Sequence, residues 1–254
     1  MIKLLDKDKK SGRVTFLLDD STPAFANALR RTIMESVPTM AIEEVEFKKN
    51  SGVLYDEMLA HRLGLVPLST DLKGYDMKKP EDEFNAKNSV KLVLKAKGPC
   101  TVYADELQSK DPKIKPAVPK IPIVKLLKGQ ELELEATAIL GTGKEHVKFT
   151  PGLAWFTYKA SSKVNNAHKD FDKFKDKFPP QAFKDGKLDA KKIEELNLFD
   201  ACDGINDEIV KVEYDNTKFI VNIEPWGQLS AQDIVAVAAD HLTELLDEFA
   251  GKLK

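Results

Sequence analysis

Four histidines, two cysteines and a few runs of carboxylates are the side chains with which this chain could do covalent or metal chemistry. His61, His146, His168 and His241 lie far apart, and none has a second ligand at metal-site spacing. His61 and His146 read as hydrogen-bonded structural histidines. Cys100 and Cys202 provide no disulfide framework and fit a reducing compartment. Gly141-Thr-Gly143 is too short to cradle a phosphate and reads as a turn at a strand end. Glu43-Glu44 and the acidic residues 131–135 match exposed strand faces, not a catalytic pair. The lysine-rich residues 110–128 could approach nucleic acid, but without interleaved aromatics they read as a solvated loop. What remains is recognition, and two stretches are shaped for it.

The first is Asn27-Ala-Leu-Arg-Arg-Thr-Ile-Met-Glu-Ser-Val-Pro38. Thr22-Pro23 starts a helix there: a hydroxyl can cap it, and proline gives up an amide that would be orphaned anyway. Pro38 ends it by disfavouring helical geometry at Val37. Taking Phe25 as reference, Ala28, Leu29, Thr32 and Ser36 share its side, while Asn27, Arg30, Arg31 and Met34 lie opposite. The second stretch is Tyr55-Asp-Glu-Met-Leu-Ala-His-Arg-Leu-Gly-Leu-Val-Pro-Leu68. It reads as a short helix closed by Gly64, with Pro67 preventing its resumption.

Other elements must position these helices. Residues 3–5 and 14–18 read as a hairpin, and 41–47 as a strand. Val90, Leu92, Leu94 and Ala96 alternate with Lys91, Lys95 and Lys97; Leu132, Leu134, Ala136, Ala138 and Leu140 alternate with Glu131, Glu133, Glu135 and Thr137. Both patterns predict half-buried antiparallel strands, joined by a proline-rich extended loop from Pro112 to Pro122. A strand over 153–159 follows, then a Lys/Asp/Phe-rich segment to Asp207 with helical and turn signals. A hairpin of 209–214 and 218–223 turns at Asp215-Asn216. Ser230 caps a final helix with Asp233 at its third position, and Leu229 can staple to Ile234. Ile234, Val237, Ala238, Leu242, Leu245 and Phe249 form its apolar stripe, with His241 inside. By itself that stripe fits an amphipathic helix packed on its own sheet.

The composition admits one large domain or two to three small ones in 254 residues. A 42% hydrophobic fraction is ample for a core, and a net charge of -2 argues against a protein that blankets phosphate backbones. No signal peptide or membrane span is expected. The 31% charged residues, rich in Lys and Glu, fit a thermophile and a soluble surface equally well.

The two stretches resemble the D-subunit family of archaeal RNA polymerase. That family is the counterpart of the third-largest subunit of RNA polymerase II and of the bacterial alpha N-terminal domain. Three more segments agree, in the family's order: Ser51-Gly-Val-Leu-Tyr-Asp-Glu57, Gly143-Lys-Glu-His-Val-Lys-Phe-Thr-Pro151 and Glu224-Pro-Trp-Gly-Gln-Leu229. The resemblance runs from about Val14 to the C-terminus. It implies an α+β fold: an alpha-N-terminal-like dimerisation domain (1–44 with 153–162 and 209–254, an antiparallel sheet plus two helices), an inserted mostly-β domain (45–152) and a small degenerate ferredoxin-like insert (163–208). It further implies a non-catalytic assembly subunit for transcription, cytoplasmic, without sequence-specific DNA binding.

The implied partners are RNA polymerase subunit L in a heterodimer, the small zinc-binding subunits N and P, and the second-largest and largest catalytic subunits. Phe25, Leu29, Ile33, Ile234, Val237, Ala238, His241, Leu242, Leu245 and Phe249 would form an apolar dimer interface above ~2,000 Å². Arg30, Arg31, Asp56, Glu57, His61 and Arg62 would dock the large subunits, arginine's planar fork suiting such contacts. Read without the family, Arg30 and Arg31 are two solvated arginines. Two rival functions remain: a homodimeric module of bacterial-alpha type, and a stand-alone enzyme with a cleft in the β-rich domain.

Many members carry iron–sulfur clusters on Cys-x2-Cys-x2-Cys-x3-Cys-Pro spacing. Here His168, Phe171, Phe174 and Phe178-Pro179 stand at that spacing, and Leu196, Phe199, Cys202 and Asn206 echo it. The expectation is no cofactor, with aromatic burial in place of metal ligation; chance recurrence of Phe at helical spacing is the alternative.

Overall fold

The lysine–glutamate alternation of residues 90–97 and 131–140 becomes adjacent strands of one sheet in the computed structural model, which describes residues 1–253. Strands β1 (Ile2–Lys7) and β2 (Val14–Leu18) precede helix α1 (Pro23–Glu35), strand β3 (Thr39–Asn50) and helix α2 (Asp56–Gly64). Then come β4 (Ser89–Lys97), β5 (Cys100–Tyr103), β6 (Gln108–Ser109), β7 (Pro122–Leu126), β8 (Glu131–Gly141) and β9 (Gly152–Val164). Short pieces follow: α3 (Phe171–Phe174), β10 (Phe183–Lys184), β11 (Lys187–Leu188), α4 (Ala190–Glu195) and α5 (Phe199–Cys202). The chain closes with β12 (Val210–Pro225) and α6 (Ala231–Lys252). This is the mixed α+β architecture, with antiparallel sheets, that the sequence predicts.

The chain divides into two units. One comprises Leu5–Thr15, Asn27–Trp155 and the chain from Asn222 onward. In it β3, β8, β4 and β6 form an antiparallel sheet in that order, and β5 pairs with β7. Leu92, Leu94, Leu134 and Ala136 share a core with Leu59 and Leu63 of α2. On the solvent side Lys95 and Lys97 lie directly across from Glu133 and Glu131, bonded at 2.8 and 3.2 Å, and Lys91 reaches Glu135 diagonally at 2.5 Å. Each exposed pair contributes at most about 1 kcal/mol. Together they fix the register, because a one-residue slip would bury every charge. Gly143 allows a close crossing: a Cβ there would lie 2.0 Å from the Met34 carbonyl oxygen.

Residues 110–128 are not a solvated loop. Ile114, Ile123, Val124 and Leu126 are buried, the last three in strand β7. Ser69 N donates to Lys115 O at 2.8 Å and Ala117 N to Pro67 O at 2.8 Å, so the prolines shape an anchored segment. Gly64 is not a left-handed cap either. It is the last residue of α2, buried, and Leu65 closes the helix by donating its N–H to His61 O. A Cβ there would make only an ordinary contact, 3.5 Å from Ile42 O.

The other unit comprises Met1–Leu4, Phe16–Ala26 and Phe156–Val221. Its sheet has the order β1-β2-β12-β9. Phe219, fully buried, packs its ring on Phe156 and Tyr158 at centroid distances of 5.6 and 5.3 Å. The expected hairpin at Asp215-Asn216 is instead one continuous strand, β12. Asp215 Oδ1 accepts from the backbone N–H and hydroxyl of Thr217 at 2.9 and 2.6 Å. The turn-forming side chain is thus satisfied within the strand, while Thr217 O still accepts from Ser21 N at 3.0 Å. These bonds hold the Asp215 carboxyl down at about 2.

Candidate functional site

Thr22 begins α1 as its composition predicts, its hydroxyl accepting from Phe25 N at 3.2 Å. Ala26, Leu29, Thr32 and Ile33 are buried, whereas Phe25 and Ala28 face solvent. The buried stripe is therefore rotated from the one that Phe25 would define. Arg30 is held by Asn27, whose Oδ1 accepts from Nε and Nη2 at 3.1 and 3.0 Å. Arg31 pairs with Glu35 through two bonds of 3.2 and 3.1 Å, which raise the arginine pKa and lower the glutamate's. Both guanidinium groups are thus oriented along the helix surface before any partner arrives.

Ser230 caps α6 as predicted, accepting from Asp233 N at 3.2 Å while its hydroxyl donates to the Asp233 carboxylate at 2.6 Å. Only the first half of the helix packs. Ala231, Ile234 and Ala238 are buried and Val237, His241 and Leu242 half-buried. From Thr243 onward every described residue is exposed. Leu245, Leu246, Phe249 and Leu253 expose 47%, 67%, 62% and 72% of their surface. One apolar stripe, 234-238-242-245-249, thus runs from the interior into open solvent. Of the predicted interface residues, Leu29, Ile33, Ile234 and Ala238 lie in the chain's own interior; Phe25, Leu245 and Phe249 lie on its surface.

Helix α2 also has two apolar faces. Leu59 and Leu63 are fully buried, while Tyr55, Met58 and Leu65 are exposed, with Val53 just before them. Asp56 Oδ1 accepts from Asn50 Nδ2 at 2.7 Å, fixing the helix start; Glu57 and His61 are exposed. Arg62 ties this helix to a neighbouring strand. Its Nε and Nη2 donate to the carbonyls of Ile123 and Pro122 at 2.8 and 2.6 Å, fastening α2 to β7. No sequence signal distinguishes it from Arg30 or Arg31, because its acceptors lie sixty positions away on backbone carbonyls.

Beside α2 is a groove of about 220 Å³ lined by Ile42, Glu43, Ala60, His61, Gly64, Leu65, His146 and Lys148. Lys148 Nζ donates to Ile42 O at 3.0 Å and Glu43 Oε2 at 2.5 Å, and sits 5.1 Å from the Phe149 ring centroid. His146 Nδ1 accepts from Lys148 N at 3.1 Å, the structural role expected of it. His61 makes no side-chain hydrogen bond among the described residues, contrary to expectation: its position on the outer face of α2 leaves it without a neighbouring partner.

In residues 163–208, Phe178, Phe199 and Cys202 are buried in one core with Ile193 and Leu188, and Phe171 and Phe174 pack against it. Leu196 is exposed. His168 closes the segment: Nδ1 accepts from Asp170 N at 3.3 Å and Nε2 lies 2.6 Å from Glu208 Oε2. This donor set does not fit an iron–sulfur cluster. Cys202 is the one thiol at the cluster positions, burial pushes its pKa up, and phenylalanines occupy the places of further ligands. Among the described residues no three His, Cys, Asp or Glu side chains converge as a metal site, and no helix is long and apolar enough to cross a membrane.

Residues 44–152 match the family model of the RNA polymerase Rpb3/RpoA insert domain. The chain is 38% identical over 263 aligned positions to DNA-directed RNA polymerase subunit Rpo3 of Pyrococcus horikoshii, covering 100% of this chain and 97% of the relative. It is 35% identical over 249 positions to subunit Rpo3 of Methanosarcina acetivorans (94% and 92% covered) and 34% over 255 to that of Halobacterium salinarum (97% and 94%).

Proposed function

The chain belongs to the Rpb3/RpoA family of DNA-directed RNA polymerase subunits, and we propose that it assembles the enzyme as half of a heterodimer with a smaller subunit of the L type. It is an assembly subunit of that complex, within which other chains perform nucleotidyl transfer. The observation that carries the heterodimer is the bare second half of α6. Eleven consecutive residues, 243–253, are exposed, yet the apolar period continues through them. A helix held only at its start does not keep leucines and a phenylalanine in water for its own stability. A partner burying Leu242, Leu245 and Phe249 would complete the stripe. Leu29, Ile33, Ile234 and Ala238 then act from beneath, seating the helices.

The pre-oriented Arg30 and Arg31, and the exposed face of α2 with Glu57 and His61, are the docking surfaces for the second-largest and largest subunits and the small zinc-binding subunits N and P. Arg62 and Asp56 hold α2 in place for them. Residues 163–208 fold on aromatic packing without an iron–sulfur cluster; chemical analysis of anaerobically purified chain should find no stoichiometric iron or acid-labile sulfide. A cytoplasmic location goes with this role. The direct test is co-expression with the organism's subunit L, followed by light scattering. A one-to-one complex is expected. A monomer or self-dimer that ignores subunit L would refute the heterodimer, the self-dimer favouring the bacterial-alpha mode.

A further inference from the structure

We infer that Gln228 is a positioning residue: it fixes the approach to α6 against the exit from α2, so that the two partner-facing helices are held as one platform for assembly. This role rests on α2 and α6 being docking surfaces and adds what sets them in place. Of the five buried polar side chains among the described residues, Thr39, Thr150 and Gln228 meet at one junction. Gln228 lies just before Ser230, the cap of α6. Its Nε2 donates to Thr150 O at 3.1 Å, and its own carbonyl accepts from Thr70 N at 3.0 Å. Thr70 lies on the segment leaving α2; its hydroxyl accepts from Met40 N at 2.9 Å and donates to Leu68 O at 3.3 Å. Beside them the Thr39 hydroxyl donates to Phe149 O at 2.7 Å, and Trp226 N donates to Pro151 O at 3.0 Å. The approach to α6 is thus bonded to the exit from α2 and to the turn after β8, and through Thr70 to the start of β3.

The chemistry of this side chain serves placement more than bulk stability. Nε2 satisfies Thr150 O, while Oε1 is buried with no partner among the described residues. For the core alone, one orphaned acceptor is exchanged for another, and the net gain is small. What the amide adds is direction. An apolar side chain of the same length packs in several rotamers and lets the loop slide, whereas a buried amide with one partner has one place. With residue 228 fixed, its carbonyl stays within reach of Thr70 N, and the two helix ends keep one arrangement. Helix α6 needs such an anchor, because its residues from Thr243 onward are exposed and only its first half packs.

The test compares the wild-type chain with Gln228→Met, which keeps the length of the side chain and removes its donor. Amide hydrogen exchange on the full chain should quicken roughly tenfold at Thr70 and Trp226, whose N–H groups make the junction's bonds. Leu92 and Leu134, in strands β4 and β8, should keep their wild-type protection. Co-expressed with the subunits of its own polymerase, the variant should pair with subunit L as wild type does, because the exposed stripe of α6 is untouched. It should retain the second-largest subunit roughly tenfold less. Thr70→Val removes the hydroxyl that accepts from Met40 N and should act in the same direction to a smaller degree. Unchanged exchange at Thr70 and Trp226, or full retention of the second-largest subunit, would overturn the inference. Loss of protection throughout the chain would do so as well, since Gln228 would then serve the global fold. Wild-type chain that pairs with subunit L and retains no catalytic subunit would overturn the docking reading and the role built on it, an outcome that no change at Gln228 can produce.

Discussion

Replacing Phe249 by glutamine should separate partner binding from folding. The ring is 62% exposed in the chain alone. A phenylalanine offers about 200 Å² of surface, so roughly 125 Å² remains for a partner to cover. At about 25 cal/mol per Å² that is ~3 kcal/mol of association free energy, or roughly a hundredfold in Kd. Glutamine forms helix nearly as well as the best residues, so α6 should persist and the Tm of the isolated chain should not move. Ile234→Ala is the contrast. That side chain is fully buried, and truncation should cost about 2–5 kcal/mol of folding stability. The assay is isothermal titration of each variant with subunit L, beside calorimetric melting of each variant alone. An unchanged Kd for Phe249→Gln would refute the view that the outer half of α6 is an interface. A large fall in its Tm would show that the residue serves the chain's own fold.

Other outcomes follow from the same structure. Phe178→Ala should cost about 3–5 kcal/mol within the core of residues 163–208 and open that segment to limited proteolysis while pairing with subunit L survives; an unchanged digestion pattern would refute the aromatic-core account. Tyr75 donates its hydroxyl to Asp111 Oδ2 at 2.8 Å, and desolvation, then that bond, pushes its pKa up to about 12. The folded state therefore favours the neutral phenol. Its stabilisation is complete below the unfolded value near ~10 and is lost as pH rises through about 12. The ultraviolet titration difference between wild type and Tyr75→Phe should show that late midpoint, and a midpoint near ~10 would refute it. Gly143→Ala drives a Cβ to within 2.0 Å of a backbone oxygen and should lower Tm by roughly 3–10 °C; an unchanged melt would refute the crossing geometry.

The chemistry of local pattern was legible from the chain alone. Strict alternation gave β4 and β8, because a half-buried sheet imposes a period of two. Ser230 and Thr22 marked helix starts, because a cap needs only residues three apart. The recognition segments were legible for the same reason, each being continuous in sequence. The continuous strand at Asp215 was not, since a turn-forming dipeptide is read by its local preference while strand pairing is set by neighbours far along the chain. Residues 110–128 misled similarly: their prolines and lysines look solvated, yet Ile114 finds a core that other elements build.

Sequence by itself determined the capped helices, the alternating strands and that this chain recognises partners, because periodicity, caps and motif order act over a few residues. Only the tertiary structure decided which apolar residues are free to meet a partner, that Arg62 spends its guanidinium on β7, and that His61, His146 and Lys148 share one groove. Exposure and convergence depend on what the rest of the chain brings alongside a residue. That is a property of packing over a hundred positions, which no local pattern encodes.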